Sequence, residues 1–534
     1  MNNTGQVDRS IHRKLPPESD WPELVLPEHL YSRRPLNCVE SLLDQHLRQG
    51  HGDRIALLSN EVQWSYRELN ERVCRIANLL VNDFGVESGN RILLRGKNSP
   101  ELAALWLAIQ KCGAIAVTTM SLLRSGELKS IIELSNPVLS ISEAELVGEL
   151  QSAVNQGATP TRLLTWSGAS REMEELITNQ PTHFATTATF SDDIALIGFT
   201  SGTTGRPKGT VHFHRDVIAV CETVADRFLQ AEPGDRFIGT SPLAFTFGLG
   251  GLVLFPLYSG ASTVLNPQYT PEELLEGIER FNATICFTVP SFYQRMCRTG
   301  KSAQTRSLRL AVSSGEALPL KVRQEWHSVT GMELAELLGS TEMLHGFVGS
   351  RDADVRPGSI GRALPGYQTT ILDQQGEELP AGEIGRFAVK GPTGCRYLDD
   401  PRQQNYVQQG WNITGDACSM DADGYVQYQA RMDDLIISSG YNISGIEVEN
   451  ALLEHVGVAE CAVIGMEDED RGQVVTAFVV PVTEPETTSE FISELQAFVK
   501  QRIAPYKYPR RIHLLDALPR NESGKIQRFR LRNH

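Results

Sequence analysis

Residues 199–210 carry the densest group of side chains able to bind phosphate. The stretch reads Phe-Thr-Ser-Gly-Thr-Thr-Gly-Arg-Pro-Lys-Gly-Thr and holds three glycines, five hydroxyls and two cations. Glycine lets the backbone approach a ligand closely and expose its N–H groups, while the hydroxyls add donors and Lys208 adds positive charge. A loop that needs only flexibility has no use for so many donors. The composition therefore favours a phosphate-binding loop over an ordinary surface loop.

This loop is predicted to lie between a strand and a helix. An apolar run typical of a buried strand occupies residues 194–199, and apolar residues recur at helical spacing from Val217 to Phe228. The spacing differs from that of a Walker loop, Gly-x-x-x-x-Gly-Lys-[Ser/Thr], and no Gly-x-Gly-x-x-Gly opens a dinucleotide-binding fold at the N-terminus. The loop therefore belongs to a different phosphate-binding architecture.

Two more motifs follow predicted strands. Leu-Gly-Ser-Thr-Glu, residues 338–342, comes after a strand predicted at 333–337, and Ser-Ser-Gly-Glu-Ala, residues 313–317, comes after one at 308–312. Open α/β sheets bind ligands at the carboxyl ends of their strands. Taken alone, the first motif is equally compatible with a helix cap, and the second with a simple glycine turn. Three later motifs are Trp-Asn-Ile-Thr-Gly-Asp at 411–416, Arg-Met-Asp-Asp at 431–434 and Pro-Arg-Asn-Glu-Ser-Gly-Lys at 519–525.

Composition limits the classes of partner. The chain has 534 residues, with 41% hydrophobic and 22% charged residues, as in a soluble globular protein of several units. A net charge of −15 argues against nucleic acid or an anionic membrane as the main partner. Nine scattered cysteines without a Cys-x-x-Cys pair indicate reduced thiols. The polar N-terminus and the shortness of the longest apolar stretch, 248–258, favour a cytoplasmic protein.

The elements that must position the motifs alternate between strands and helices. Repeated strand–helix units through the first two thirds of the chain predict parallel sheets covered by helices. After Asp434 the pattern becomes that of a small α+β domain of about 100 residues. Its helices are predicted at 446–455 and around Phe491, Leu495 and Phe498, and its strands at 460–465, 474–482 and 512–515. Residues 1–35 are predicted to form a surface arm, and residues 155–193 a peripheral segment.

Together these motifs resemble, in the same order, those of the adenylate-forming superfamily, which includes acyl- and aryl-CoA ligases, luciferases and peptide-synthetase adenylation domains. The resemblance implies an α/β fold with a large N-terminal domain of parallel-rich sheets and a small mobile C-terminal α+β domain. It implies that the small domain swings about a hinge at Asp433. The expected boundaries are an arm at 1–35, an AMP-binding domain at 36–430, the hinge at 431–433 and the small domain at 434–534.

The resemblance also implies roles for individual residues. Catalysis is expected from Lys208, Thr341, Glu342 and Lys525, with Glu342 holding Mg²⁺ and Lys525 delivered by the small domain. ATP and AMP contacts are expected from Thr200, Ser201, Gly202, Thr203, Thr204, Gly205, Ser314, Gly315, Glu316, Gly339, Ser340, Asp416 and Arg431. The chain departs from the family pattern at Leu338, where a tyrosine that stacks on adenine is common, and at Ala430, where glycine is usual.

Residues 241–250, Ser-Pro-Leu-Ala-Phe-Thr-Phe-Gly-Leu-Gly, stand where the family builds its acid pocket. They offer an aromatic wall without a partner for an amino-acid ammonium group, which disfavours an amino-acid substrate. This stretch is similar to that of benzoate–CoA ligases and most similar to that of the 2-aminobenzoate–CoA members. The expected pocket residues are Ala244, Phe245, Phe247, Gly248, Leu338 and His345. His345 is either an acceptor for an ortho substituent or a structural histidine.

The expected acceptor is free CoA, because no carrier domain follows before His534. By resemblance, CoA contacts are expected from Ser439, Gly440, Arg471, Tyr506 and Arg510. The expected reaction joins an aromatic acid to CoA through an acyl-AMP, with release of AMP and pyrophosphate, and a homodimer is a candidate assembly. The alternatives are an enzyme that loads a separate carrier protein, a luciferase-like oxygenase, and a nucleotide-binding protein without turnover.

Overall fold

The computed structural model of the protein describes residues 4–30, 34–157, 161–167, 172–200, 207–432, 434–438, 441–468, 472–520 and 526–532. Several residues with predicted roles lie outside these ranges: Ser201, Gly202, Thr203, Thr204, Gly205, Asp433, Ser439, Gly440, Arg471 and Lys525. Their roles therefore stay predictions.

The strands of the described residues are short and spread over the whole chain. They are β1 Ile55–Leu58, β2 Gln63–Ser65, β3 Arg91–Arg95, β4 Ile115–Thr119, β5 Leu139–Glu143, β6 Arg162–Trp166, β7 Ile194–Thr200, β8 Lys208–Phe213, β9 Arg236–Gly239, β10 Ser262–Val264, β11 Ile285–Thr288, β12 Leu310–Ser313, β13 Leu334–Gly339, β14 Gly346–Ser350, β15 Arg362–Ala363, β16 Gln368–Leu372, β17 Gly385–Lys390, β18 Val407–Gln408, β19 Trp411–Met420, β20 Val426–Arg431, β21 Ile436–Ser438, β22 Tyr441–Ile443, β23 Val458–Asp468, β24 Gly472–Pro481 and β25 Arg511–Leu514.

The α-helices fall mainly between these strands. They are α1 Gln45–Arg48, α2 Tyr66–Asn78, α3 Pro100–Lys111, α4 Ser125–Ser135, α5 Val147–Asn155, α6 Glu172–Thr178, α7 His214–Val220, α8 Thr246–Leu249, α9 Phe255–Tyr258, α10 Pro271–Phe281, α11 Pro290–Arg298, α12 Leu320–Thr330, α13 Gln403–Tyr406, α14 Gly445–Leu453, α15 Thr488–Arg502 and α16 Arg528–Leu531. Wider π-type turns extend four of them, at Glu40–Asp44, Leu79–Asp83, Cys221–Leu229 and Gly250–Leu254.

Two largely parallel sheets form the frame of the large domain. One runs in the order β15-β14-β13-β12-β11-β9-β10-β1-β2 and is parallel from β13 through β1. The other runs β6-β5-β3-β4-β7-β8, and only β8 is antiparallel. Antiparallel strands at the edges of otherwise parallel sheets are common in α/β folds. The predicted fold class, a large domain of parallel-rich sheets with a smaller C-terminal domain, is confirmed.

A third, antiparallel sheet was not predicted. It runs β16-β17-β19-β18, with β20 paired to β19. The small domain contains its own sheet, β22-β21-β24-β23, with β25 paired in parallel to β24. A separate cluster of buried apolar side chains lies between this sheet and the helices α14 and α15, and includes Val448, Leu452, Leu495 and Val499. The helices α14 and α15 and the strands β23, β24 and β25 match the predicted small-domain elements, whereas β21 and β22 were not predicted.

Local sequence signals explain where several helices begin. The N-terminus of α10 is a capping box, in which Thr270 Oγ1 accepts from the backbone N of Glu273 at 3.2 Å. In return, the carboxylate of Glu273 accepts from the backbone N of Thr270 at 2.7 Å. Pro271 occupies the first helical position, where no intrahelical N–H is needed. This predicted start is confirmed.

The N-terminal arm lies along the large domain instead of projecting from it. Gln6 is buried and its amide donates to the carbonyl of Ile194 at 2.8 Å, while Ile11 joins an apolar cluster. Farther along, the backbone N of Glu23 donates to Gly410 at 2.9 Å, and that of Val25 donates to Gly391 at 2.9 Å. The arm thus connects the six-stranded sheet with the third sheet.

Candidate active site

The ends of the predicted phosphate loop are held together by a pair of antiparallel strands. Thr200 at the end of β7 lies opposite Lys208 at the start of β8. The predicted strand before the loop is confirmed, whereas the prediction that a helix follows directly is wrong. The six residues of β8 come first, and the helix α7 begins at His214. Residues 201–206 therefore connect two antiparallel strands, and no helix begins directly after them.

One face of β8 points at the motif Leu-Gly-Ser-Thr-Glu, residues 338–342. Because strand side chains alternate, Lys208, Thr210 and His212 share this face. The Lys208 ammonium lies 3.5 Å from the Tyr397 hydroxyl and 5.2 Å from the centre of its ring. His212 is fully buried, and its Nε2 lies 2.7 Å from the carbonyl oxygen of Thr341. A carbonyl only accepts, so Nε2 carries the proton in this contact.

This motif, residues 338–342, forms a short turn at the end of β13. Ser340 begins this 3₁₀ turn, Thr341–Met343, and its hydroxyl accepts from the backbone N of Met343 at 3.3 Å. Tyr397 donates its hydroxyl to Glu342 Oε1 at 2.6 Å. Gly198 of β7 packs against the turn, since a Cβ there would lie 2.9 Å from Thr341 Cγ2. The turn is thus fixed by hydrogen bonds and by close packing.

A group of buried charges lies behind His212. Asp216 Oδ2 is 3.7 Å from His212 Nδ1 and 3.1 Å from Arg396 Nη1, and all three side chains are fully buried. Burial alone raises the pKa of Asp216, but the nearby Arg396 and Arg215, with His212, lower it to about 2. Asp216 is therefore ionised, and it stabilises a chain of polar contacts that runs from Arg396 through His212 to the backbone of Thr341.

The motif at 313–317 forms a turn beside this one, because β12 and β13 are neighbours in the sheet. Ser314 is buried, and Gly315 has a φ of +86°, a left-handed conformation that favours glycine. The Glu316 carboxylate accepts from the backbone N and the hydroxyl of Ser291, each at 3.3 Å. Leu338 and Gly339 end the neighbouring strand β13. These residues line one edge of the sheet, as predicted for ligand contacts at strand ends.

Asp416 and Arg431 face each other across β19 and β20. Their side chains form an ion pair of 2.8 Å, and Arg431 also donates to the carbonyl of Thr414 at 3.1 Å. Burial raises the pKa of Asp416, and Arg431 opposes that rise. Gly415 has a φ of +78°, and a Cβ there would lie 2.7 Å from the Arg431 guanidinium. Glycine at this position therefore lets the arginine pass over the backbone.

The predicted acid pocket surrounds the short helix α8, with Ala244 and Phe245 directly before it. The Phe247 ring lies 5.7 Å from the His345 ring, and the Phe255 ring lies edge-on to His345 at 4.6 Å. Two positions in this segment lie too close to their neighbours for any residue but glycine. A Cβ at Gly248 would be 2.1 Å from a backbone oxygen, and a Cβ at Gly250 would be 2.4 Å from His345 Cδ2.

His345 is a neutral imidazole among aromatic rings. Burial lowers its pKa to about 3, with a weak opposing effect from the backbone of Phe247. Neither ring nitrogen has a hydrogen bond of full geometry to a described residue, although the backbone of Phe247 interacts with the imidazole. Both nitrogens are also closed to solvent, so a ligand reaches them only if the surrounding side chains move.

Behind the pocket, a narrow apolar cavity reaches toward α3. Its lining includes Ala244, Leu102 and Trp106. Asn98 fixes the segment before α8, since its amide donates to the Ser241 carbonyl at 2.9 Å and accepts from the Leu243 backbone at 2.8 Å. Ala244 therefore lies on the side of the pocket segment that faces α3.

The described residues predicted for CoA lie on the small domain. Tyr506 is 41% exposed, in a 3₁₀ turn at Pro505–Lys507. The Arg510 guanidinium lies 4.8 Å from the centre of the Tyr508 ring and donates to its hydroxyl at 3.0 Å. Both predicted residues are accessible at the surface of this domain, as a contact with an incoming substrate requires.

The structure adds residues to which the sequence reasoning gave no role: Tyr397, His212, Asp216 and Arg396. Tyr397 meets Glu342 from 55 positions away, and no local pattern signals that contact. His212 offered a signal, because strand alternation from Lys208 places it on the same face. That signal was missed because β8 was not predicted.

Comparison with known proteins decides the family. Residues 43–396 match the AMP-binding enzyme family, and residues 447–525 match the AMP-binding enzyme C-terminal domain. The chain belongs to the AMP-binding enzyme family. The benzoate–CoA ligase of Thauera aromatica is 32% identical over 519 residues, which cover 96% of this chain and 97% of that ligase. The predicted membership of the adenylate-forming superfamily is confirmed.

Solved structures of AMP-binding enzymes share the fold. The anthranilate CoA ligase AuaEII, solved in complex with anthranoyl-AMP, superposes with a TM-score of 0.88 at 32% identity, covering 93% of this chain and 97% of that one. A benzoate CoA ligase from Burkholderia xenovorans LB400 gives 0.85 at 31% identity, covering 93% and 99%. Within the described residues of this AMP-binding enzyme, no helix is both long and apolar enough to cross a bilayer.

Proposed function

We propose that this AMP-binding enzyme is an acid–thiol ligase that joins an aromatic carboxylic acid to CoA at the expense of ATP, with AMP and pyrophosphate as the other products. The observation that carries the proposal is the convergence of Lys208, Thr341 and Glu342 beside an aromatic pocket. The similarity to a benzoate–CoA ligase and to an anthranilate CoA ligase supports the same reaction.

In the first half-reaction, the carboxylate attacks the α-phosphorus of ATP and pyrophosphate leaves. Lys208 and Thr341 stabilise the charge on the phosphates, and Lys525 bridges the acid and the α-phosphate. Residues 200–205, the turn at 314–316 and the pair Asp416–Arg431 hold the nucleotide. Gly339 and Ser340, at the end of β13, lie at the same edge of the sheet as the turn at 314–316.

A magnesium ion would be held by Glu342, whose Oε1 accepts from Tyr397 while Oε2 accepts no hydrogen bond from a described residue. No ready-made cluster of His, Cys, Asp and Glu ligands occurs in the described residues. One carboxylate fits Mg²⁺, which usually takes one or two carboxylates together with phosphate oxygens and water. When bound, the ion would neutralise part of the negative charge on the phosphates.

In the second half-reaction, the CoA thiolate attacks the acyl carbon and AMP leaves. The small domain, residues 434–534, turns about the hinge at 431–433, so that Lys525 departs and Ser439 and Gly440 arrive. Arg471, Tyr506 and Arg510 contact the nucleotide part of CoA. The large domain, residues 36–430, keeps the acyl-AMP in place during this change.

The acid proposed here is of the 2-aminobenzoate type. Phe245, Phe247, Gly248 and Leu338 enclose the ring, and Ala244 limits its size. His345 is neutral and has no hydrogen bond of full geometry to a described residue, so it accepts from an ortho N–H once the surrounding side chains move. A plain benzoate offers no such hydrogen bond, which is less favourable.

A substrate panel tests the reaction and the acid together. Pyrophosphate release and acyl-CoA formation should be measured with benzoate, 2-aminobenzoate, salicylate and the hydroxybenzoates, with ATP, Mg²⁺ and CoA. The expected result is turnover with the highest kcat/KM for 2-aminobenzoate. If none of the acids in the panel is activated, the proposal that the substrate is an aromatic acid is contradicted. Formation of acyl-AMP without acyl-CoA would favour a carrier protein as the acceptor.

A further inference from the structure

Two opposite charges at the centre of the site are separated by a phenol. The Tyr397 hydroxyl donates to Glu342 Oε1 at 2.6 Å and lies 3.5 Å from the Lys208 ammonium. Among the described residues, Lys208 and Glu342 form no direct ion pair with each other. The Lys208 ammonium and the Glu342 carboxylate therefore both contact the Tyr397 hydroxyl oxygen.

The tyrosine is held firmly in this position. Its ring is buried and packs edge-on against Tyr406 at 5.6 Å. Its backbone N donates to Gln403 Oε1 at 2.8 Å, and the next residue, Leu398, donates to Gly209 beside Lys208 at 2.8 Å. A carboxylate oxygen only accepts, so the Tyr397 hydroxyl is the donor in its 2.6 Å contact with Glu342 Oε1.

We propose that Tyr397 is a positioning residue that keeps Lys208 and Glu342 apart and available for magnesium–ATP. The inference rests on the proposed function, in which Lys208 meets the phosphates and Glu342 the metal. Opposite charges attract strongly where water is scarce. Without the hydroxyl, the ammonium and the carboxylate would pair directly and compete with the ligand. With it, one carboxylate oxygen is fixed and the other stays free.

The test removes only the hydroxyl, in Tyr397→Phe. Binding of a non-hydrolysable ATP analogue is measured by calorimetry with and without Mg²⁺, which requires no turnover. The expected result is about a tenfold loss of affinity in the presence of Mg²⁺, the size expected when a hydrogen bond to a charged group is lost. The loss should shrink without Mg²⁺, and the KM for the acid should stay unchanged.

Two further variants show whether the effect passes through Glu342. In the double variant Tyr397→Phe/Glu342→Gln, the affinity should be no lower than in Glu342→Gln alone, because the hydroxyl acts through that carboxylate. Tyr367→Phe is the matched control, since it removes another buried hydroxyl, one bonded to Thr393 at 3.0 Å, and should leave nucleotide affinity unchanged.

Three results would overturn the proposal: unchanged affinity in Tyr397→Phe, additive losses in the double variant, or an equal rise in the KM values for acid and ATP, which would indicate a purely structural role. Wild-type protein that binds magnesium–ATP but activates no acid would contradict the proposed reaction alone. The calorimetric comparison would still decide the role of Tyr397.

Discussion

The large-domain part of the site and the small-domain part differ in how tightly their residues are held. In the large domain, Lys208, Tyr397 and Glu342 form one hydrogen-bonded row, and His212 fixes the backbone of Thr341. The described small-domain candidates lie at the surface, with Tyr506 41% exposed. The groups proposed to bind phosphate are therefore preorganised, whereas the proposed contribution of the small domain depends on a movement of that domain.

Two of the described contacts between the two parts are hydrogen bonds to backbone carbonyls. The Ser444 hydroxyl, at the start of α14, donates to the carbonyl of Gln429. Lys321 of α12 donates to the carbonyl of Leu453 at the end of α14, at 3.0 Å. The small domain keeps its own apolar core. An interface of this kind lets two domains change their relative position without exposing a core.

The largest expected effect comes from Lys525→Ala. Because the proposed mechanism brings this lysine to the phosphate only during acyl-AMP formation, that step should slow by about 10²–10³-fold. Acyl-CoA formation from synthetic acyl-AMP should stay near the wild-type rate. Both half-reactions are measured separately, and Lys500→Ala serves as a small-domain control that should leave acyl-AMP formation unchanged. Equal loss in both steps would contradict the domain movement.

Glu342→Gln should come next, with about a 10²-fold loss of acyl-AMP formation, since the variant keeps the shape and removes the charge proposed to hold the metal. The thioester step should lose much less. Rates are measured over a range of Mg²⁺ concentrations, and the loss should be partly recovered at high Mg²⁺. Glu273→Gln, which affects only the cap of α10, should leave the ratio of the two steps unchanged. A loss independent of Mg²⁺ would argue for a different role of Glu342.

A smaller effect is expected for His212→Leu. It leaves the buried carbonyl of Thr341 unpaired, which costs about 1–3 kcal/mol in the stability of that turn. The kcat of acyl-AMP formation should fall about tenfold, while the KM for the acid stays constant. His212→Gln retains a donor and should recover part of the rate. If both variants are equally impaired, the hydrogen bond to Thr341 is not what matters.

The smallest effect is expected for Lys321→Ala, which removes one contact between the domains. An exposed or half-buried charge at a helix end contributes about 0.3–1 kcal/mol, so the ratio of the two half-reaction rates should shift by less than about tenfold. Lys301→Ala, whose lysine pairs with Glu276 on the surface, is the control. A larger shift would mean that this contact, and not the hinge, sets the balance between the two arrangements.

Much of the fold follows from local patterns. The start of α10 at Thr270 and most elements of the small domain depend on neighbours within a few residues, and the sequence predicts them. The strand β8 was missed because its polar and apolar residues alternate over only six positions directly after a glycine-rich loop. The third sheet was not predicted for another reason: its antiparallel pairing joins separate segments, as in β17 with β19, and no pattern within one segment signals that pairing.

The site was predictable where a motif lies in one stretch and not where distant segments meet. Thr341 and Glu342 stand together in the chain, and their position at a strand end follows from the pattern. The contact between Tyr397 and Glu342 joins two sheets, and it depends on how the segment at 396–398 pairs with β8. No periodicity within either segment contains that information.

The N-terminal arm has a consequence for the order in which the chain acquires its structure. Its first residues pair with Ser88 and its later ones with Gly391 and Gly410. Synthesis proceeds at about 5–20 residues per second, so the partners of Glu23 and Val25 leave the ribosome roughly 20 to 80 seconds after the arm itself. The part of the arm around Glu23 and Val25 is therefore among the last to find its place, whereas Val7 finds Ser88 much sooner, and we expect nascent chains to carry the later part unprotected until the third sheet has formed.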